Sequence, residues 1–279
     1  MKRRITEQKI LAFGQYLADE ERSFSTRQKY LRDLRKFQAY TNNEKLEKQK
    51  ILDYKAELLK NYAVTGANSM LAALNAFLRF CGWGDLCVKQ FKIQRQAYCS
   101  EEKELTKSEY LRLVETAGKK KNERLQLILQ TICGSGIRVS ELPFITVEAV
   151  RKGEANVHCK GKNRRIFIVS ELKKKLLRYI TEKKILTGPI FITKSGKPIS
   201  RHNVWREMKS LCEQAKVLPS KVFPHNLRHL FARIFYGIEK DVIKLADILG
   251  HSNVNTTRIY IISTGNEHQR KLENMRLII

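Results

Sequence analysis

Through the first ninety residues apolar side chains recur at spacings of three and four, the signature of one face of an α-helix. Thr6 can cap a helix whose Ile10, Phe13 and Leu17 share a stripe, and Ser25 with Gln28 fits a capping box ahead of Tyr30, Leu34, Phe37 and Thr41. A third helix is expected from about Leu46 to Tyr62, with Ile51, Leu58 and Leu59 on its apolar side. A fourth holds Met70, Leu71, Leu74, Phe77, Leu78 and Cys81, and Gly82, Trp83 and Gly84 stop it. Four short helices predict a compact bundle.

Between Gly84 and Thr106 the periodicity fails, and Val88 to Ala97 is basic and poor in core residues, as a linker would be. The expected division is a helical domain over residues 1–92, a linker over 93–102 and a second domain over 103–279. In the second, Thr106 and Glu109 make a capping-box pattern, and the apolar run from Leu125 to Cys133 predicts a buried helix. Asn156 to Cys159 and Arg165 to Val169 flank a basic, glycine-bearing turn, Lys160 to Arg164, which reads as a β-hairpin with a charged tip. Pro189 to Ile192 is expected to add a short strand. Helices follow near Arg201 to Ala215, His225 to Tyr236, Lys240 to Leu249 and Asn255 to Tyr260. The predicted fold is therefore mainly α with a small β-sheet, an α+β arrangement in two domains.

Charge changes the picture. The 279 residues carry 54 Lys+Arg against 28 Asp+Glu, a net +26. The first hundred hold 19 and 10 of these, and the rest hold 35 and 18, so both halves are basic. Basicity spread over two folded segments predicts that both touch one long polyanion. A ribosomal-type or merely soluble basic protein is the plainer reading of charge alone. No apolar run approaches the ~20 residues of a membrane span, and the start lacks the apolar region of a signal peptide. A membrane partner is not expected and the cytosol is. Six scattered cysteines without a C-x-x-C pair predict reduced thiols.

The chain has no H-E-x-x-H, EF-hand loop, zinc spacing or carboxylate cluster suited to two-metal phosphoryl transfer, and no Walker or dinucleotide glycine motif. Neither a metal nor another cofactor is expected. What remains is a covalent route: a side chain attacks phosphorus, cations hold the non-bridging oxygens, and an acid protonates the departing oxygen. Three segments supply parts for it. Gly134-Ser-Gly-Ile-Arg138-Val-Ser-Glu-Leu142 sets an arginine after a glycine turn, where Ser140 and Glu141 can fix its backbone and guanidinium. Pro224-His225-Asn-Leu-Arg228-His229 sets a histidine and an arginine on one helical face. His251 is followed nine residues later by Tyr260. Singly, each is as well explained by a surface pair, a rim aromatic or an ordinary capped helix.

Together and in order, these segments resemble the tyrosine recombinase (phage integrase) family, whose pattern is Arg, a hairpin Lys, His-x-x-Arg, His or Trp, and Tyr. The resemblance runs from about Thr106 to Ile262 by motif, and the helical N-terminal unit looks like the family's SAM-like core-binding domain. It implies that Arg138 and Arg228 grip the scissile phosphate, as the planar guanidinium suits. His225 would take a proton from, or bond beside, the attacking hydroxyl, and His251 would donate to a phosphate oxygen. Tyr260 would be the nucleophile, leaving a 3′-phosphotyrosyl link and a 5′-hydroxyl. An unperturbed phenol has a pKa near 10 and needs such cations around it. Lys160 aligns with the hairpin lysine that protonates the leaving oxygen, but Cys159 stands where the family has glycine, and Lys162 is an alternative. Glu141 is expected to orient a neighbour.

The resemblance further implies double-stranded DNA recombination sites as partner and a homo-tetramer on DNA, with C-terminal tails exchanged between protomers. The segment from Gly265 to Leu272, with its apolar end Leu277 to Ile279, is the expected tail; folding back on its own core is the alternative. Ser25, Thr26, Arg27, Lys29 and Tyr30 open a helix that the family sets against DNA. Lys162, Arg164 and Arg201 are expected at DNA, and Asn203, Arg206 and Lys209 are candidates for major-groove readout or a solvated helix face. The implied function is site-specific strand exchange through a Holliday junction in a prokaryotic cytoplasm, at the nucleoid. The short N-terminal unit, without room for an arm-binding domain, favours a simple recombinase over one with two kinds of DNA site, and a C-terminal segment unlike that of Xer recombinases favours a mobile-element integrase. A Xer-like resolvase, a type IB topoisomerase and a non-catalytic DNA-binding protein of the same fold are the alternatives.

Overall fold

The computed structural model describes residues 3–93, 103–159, 162–251, 253–261 and 273–275, with only the backbone described at 159, 162, 259 and 261. The chain divides into two compact units, Met1–Arg95 and Gln96–Ile279. The architecture is mainly α, with one two-stranded antiparallel sheet among the described residues.

In the first unit α1 (Glu7–Asp19) starts at Thr6, whose hydroxyl accepts from Lys9 N, and it buries Ile10, Phe13 and Leu17. The next helix, α2 (Phe24–Thr41), is capped by Ser23 rather than Ser25: the Ser23 hydroxyl accepts from Thr26 N, which puts Ser25 inside the first turn. A third helix, α3 (Lys48–Asn61), turns Ile51, Tyr54 and Leu58 inward. Leu59, expected on the apolar side, is 44% exposed, because it falls one position past the inward stripe. The fourth, α4 (Val64–Phe80), begins earlier than its large apolar residues suggest, and Gly82 at φ 71° turns the chain away.

The basic segment that starts at Val88 packs on the first unit as far as Phe91, ahead of the linker expected over 93–102. Asn75 exchanges two hydrogen bonds with the backbone of Val88, and Asn68, two turns earlier on α4, does the same with Phe91. Two carboxamides thus stand in for a neighbouring strand. Val88 is buried in the first core.

The second unit opens with α5 (Lys107–Lys119), where Thr106 and Glu109 complete the capping box. Next comes α6 (Glu123–Ser135), whose Leu125, Ile128, Leu129 and Ile132 are fully buried. A 3₁₀ turn (Val139–Phe144) and α7 (Val147–Lys152) lead to the hairpin of β1 (Glu154–Cys159) and β2 (Lys162–Phe167), paired with Asn156 opposite Arg165. Ala155, Val157 and Ile166 face the core while Asn156, His158 and Phe167 face out, the alternation of a half-buried sheet. The second strand ends at Phe167, short of Val169. Pro189 to Ile192 forms no strand but two isolated bridges, Thr146 to Pro189 and Ile192 to Pro198, since the segments around Thr146 and Pro198 each bond it over too short a stretch for a ladder.

An amphipathic helix absent from the sequence reading, α8 (Ser170–Glu182), follows the hairpin and buries Leu172, Leu176, Tyr179 and Ile180. The helix expected from Arg201 to Ala215 is two, α9 (Arg201–Lys209) and α10 (Cys212–Ala215). The last three are α11 (Pro224–Glu239), α12 (Val242–Leu249) and α13 (Val254–Ile261). Of the cysteines, Cys212 is buried, and Cys81, Cys87 and Cys133 are half-buried free thiols. No described helix is long and apolar enough to cross a membrane.

Candidate active site

The site is built where four turns converge. The chain leaves α6 through Gly136 at φ 65°, where an added Cβ would stand 2.4 Å from the Phe231 ring, so a side chain here is excluded twice over. That turn presents the Gly136 carbonyl to Arg228, and sets Arg138 at the head of the 3₁₀ turn. Pro224 occupies the first position of α11, where its missing N–H costs no helical bond. Helical spacing then lines up His225, Arg228 and His229 on one face. Asp241 caps α12 through Ile243 N and Lys244 N, and Gly250 at φ 64° ends it, turning His251 back toward Arg228. One turn apart on α13, Thr257 and Tyr260 both point inward; they are 0% and 5% exposed.

Among the described residues Arg228 is the largest fully buried side chain, 1% exposed. Its Nη1 donates to Gly136 O at 2.6 Å, and its Nη2 donates to Leu249 O at 2.7 Å and to His251 Nε2 at 2.9 Å. Its Nε is buried with no hydrogen-bond partner among the described residues. Burial, and then the neighbouring Arg138 charge, lower this guanidinium to about 10, which leaves it charged at neutral pH. Buried unpaired donors on a cation are costly unless an anion meets them.

The phenol and imidazoles stand together. Tyr260 Oη lies 3.1 Å from His225 Nε2. His229 stacks on the Tyr260 ring at 4.2 Å between centroids and 29° between planes, and His251 lies 5.3 Å from that ring. Burial, followed by the charges of Arg228, Arg138 and Arg201, holds His225 below the usual imidazole range. His251 is lowered to about 4 by burial and then by Arg228, and His229 to about 4 by burial and then by His225. Neutral imidazoles beside a cation fit a site awaiting an anion, with His225 Nε2 able to accept the phenolic proton.

Arg138 is held from the side. Glu141 accepts from Arg138 N at 2.7 Å and from its Nη1 at 3.0 Å. A cleft of about 390 Å³ opens beside these groups, lined among others by Arg138, Ser140, Arg201, Trp205, His225 and Arg228. Such a cationic cleft can receive a phosphate and offer it a phenol. Among the described residues no group of three or more His, Cys, Asp or Glu is placed to hold a metal ion.

Residues 103–267 match the phage integrase family, and residues 10–83 match the N-terminal SAM-like domain of phage integrases. The chain belongs to the phage integrase family, the tyrosine recombinases. Tyrosine recombinase XerA of Pyrococcus horikoshii is 29% identical over 95% of this chain and 93% of its own length. Tyrosine recombinase XerC of Thermodesulfovibrio yellowstonii is 31% identical over 85% of each chain. Among solved structures, a lambda integrase dimer bound to a COC′ core site shares the fold with a TM-score of 0.75 at 17% identity, over 93% of this chain and 96% of that one.

Measured against that family's pattern, the fold brings together Arg138, His225, Arg228, His251 and Tyr260. Lys160 lies outside the described residues, and of Lys162 only the backbone is described. Arg164, expected at DNA, turns inward: its side chain is 11% exposed, ion-paired with Glu141 and donating to Ile248 O at 2.8 Å. The hairpin register places it between α12, whose Ile248 carbonyl it meets, and the 3₁₀ turn, whose buried Glu141 draws it in. Arg201 and Arg206 are exposed on α9 and Asn203 is half-exposed, whereas Lys209 bonds the Pro219 carbonyl. In the first unit Ser25 is exposed, Thr26 and Arg27 are half-buried, and Lys29 pairs with Asp33 at 2.7 Å. Two residues were given no role by sequence reasoning, His229 and Thr257. Both carry a periodic signal, His229 four after His225 and Thr257 three before Tyr260.

Proposed function

We propose that this recombinase cuts and rejoins DNA at specific sites, with Tyr260 as the nucleophile. The observation that carries the reading is the Tyr260 hydroxyl 3.1 Å from a neutral His225 Nε2, on a histidine that lines a cleft together with Arg138, Arg201 and Arg228. Tyr260 Oη bonds to phosphorus and passes its proton to His225. The P–O5′ bond breaks, and the 5′-oxygen takes a proton from Lys160 or Lys162. Arg138 and Arg228 hold the non-bridging oxygens, and His251 donates to one of them. Bond energy is kept in the phosphotyrosine, so a 5′-hydroxyl from the partner strand reverses the step without ATP.

Two exchanges, through a Holliday junction, complete a recombination. Protomers assemble as a tetramer on two duplexes, in the cytoplasm where such DNA lies, and the tail after Ile261 reaches a neighbour; its apolar end, Leu277 to Ile279, supports this. Ser25, Thr26, Arg27 and Lys29 on one unit, and Arg201, Asn203 and Arg206 on the other, face the duplex. Integration, excision or inversion of a mobile element is the setting proposed. A Xer-like resolution reaction is the second reading, and similarity to Xer recombinases along nearly the full chain favours it.

Nicked suicide substrates carrying candidate element ends or resolution sites test both. The chain should form a covalent adduct with one class of site, and Tyr260→Phe should form none. An adduct that survives that substitution would move the nucleophile elsewhere.

A further inference from the structure

The His251 ring makes two hydrogen bonds of opposite sense. Arg228 Nη2 can only donate, so His251 Nε2, 2.9 Å away, accepts. A neutral imidazole that accepts at Nε2 carries its proton on Nδ1, and Nδ1 lies 2.8 Å from Thr257 Oγ1. Thr257 is fully buried on α13, one turn before Tyr260. This arrangement is wrong for a ring that must donate to phosphate: Nε2, the nitrogen turned toward Arg228, holds no proton.

We propose that Thr257 is a positioning residue for strand cleavage, holding His251 by Nδ1 so that Nε2 faces the phosphate, and accepting from Nδ1–H when Nε2 becomes protonated. The inference rests on the recombinase reading above. As the phosphate enters, Arg228 Nη2–H leaves Nε2 for a phosphate oxygen. Nε2 takes one proton from solvent and donates it as a hydrogen bond to the phosphate. The other proton stays on Nδ1, donated to Thr257 Oγ1, throughout. Thr257 itself never touches DNA, but it joins the ring that senses the phosphate to the helix that carries the nucleophile.

The charges around the ring give the direction of its titration. Arg228 and His225 face it from α11, Arg138 from the head of the 3₁₀ turn, Arg164 from β2, and Tyr260 with Thr257 from α13. With no phosphate these cations and burial keep the ring neutral. A phosphodiester at Nε2 puts a negative charge where only positive ones stood, so DNA favours the imidazolium. A ring that must be protonated supports cleavage below its pKa in the complex and fails above it. Loss of the Thr257 acceptor lowers that pKa.

Two measurements test this. In the DNA-free full-length chain, ¹⁵N shifts of the His251 ring should put the proton on Nδ1 at neutral pH; a proton on Nε2 overturns the proposal whether or not the chain cleaves DNA. Adduct formation on the suicide substrate is then followed against pH. Thr257→Val should move the alkaline limb down by about one pH unit and slow cleavage about tenfold on that limb, from loss of one bond to a charged group. Thr257→Ser, which keeps the hydroxyl, should restore the wild-type profile. A Thr257→Val rate reduced equally at every pH, or a Thr257→Ser variant as impaired as Thr257→Val, overturns the positioning role. Failure of the wild-type chain to form any adduct would count against Tyr260 chemistry instead.

Discussion

Glu141, 1% exposed, is ion-paired with Arg164 of the hairpin while it holds Arg138 by backbone and guanidinium. One buried carboxylate therefore ties the arginine of the cleft to the strand that follows the basic tip. Removing it strands two guanidiniums in a partly dry site. Glu141→Ala should lower the stability of the second unit by roughly 3–5 kcal/mol in urea unfolding, the cost of breaking a buried pair. A double variant with Arg164→Leu should lose less than the sum of the single losses.

The buried imidazoles make stability depend on pH. His229 and His251 are each held near 4 in the fold, mainly by burial, against about 6.5 in an unfolded chain. Between those values the unfolded chain binds more protons than the native one, so the stabilisation is whole above about pH 6.5 and drains away as pH falls toward 4. Thermal unfolding followed across that window should show a falling midpoint. His229→Phe with His251→Phe should flatten the decline.

His229 stacks on Tyr260, the proposed nucleophile, an aromatic contact worth about 0.5–1.5 kcal/mol. His229→Ala should cut the rate of covalent adduct formation up to about tenfold, as Tyr260 samples other positions. His229→Phe, which keeps a flat ring, should recover most of that rate in the same assay. Recovery would separate stacking from proton transfer, which phenylalanine cannot perform.

With a net +26, DNA affinity should fall steeply with salt, through release of counterions from neutralised phosphates. Arg201 lines the cleft and is exposed. Arg201→Ala should weaken binding to all sequences alike and reduce the slope of log affinity against log salt by about 1. Arg164→Leu, whose charge is already paired inside the protein, should leave that slope unchanged.

The sequence by itself determined much of what rests on local rules, though not the amphipathic α8. Thr6 and the Thr106 to Glu109 box start helices because a hydroxyl or carboxylate three residues away can reach an unpaired N–H. The hairpin followed from alternation around a glycine turn, and the order Arg138, His225, Arg228, His251, Tyr260 was legible as a linear motif. Only the tertiary structure decided what depends on partners distant in the chain. Ser23 caps α2 in place of Ser25 because backbone geometry, not composition, chooses between neighbouring hydroxyls. The segment from Val88 to Phe91 joined the first unit because Asn75 meets the Val88 backbone and Asn68 that of Phe91. Arg164 left the DNA-facing set because folding carried a buried Glu141 to it across 23 residues. The pairing of His229 with Tyr260 arises where two helices meet, and that of Thr257 with His251 where the turn after α12 folds against α13. Spacing along one helix gives a shared face but not what that face will touch.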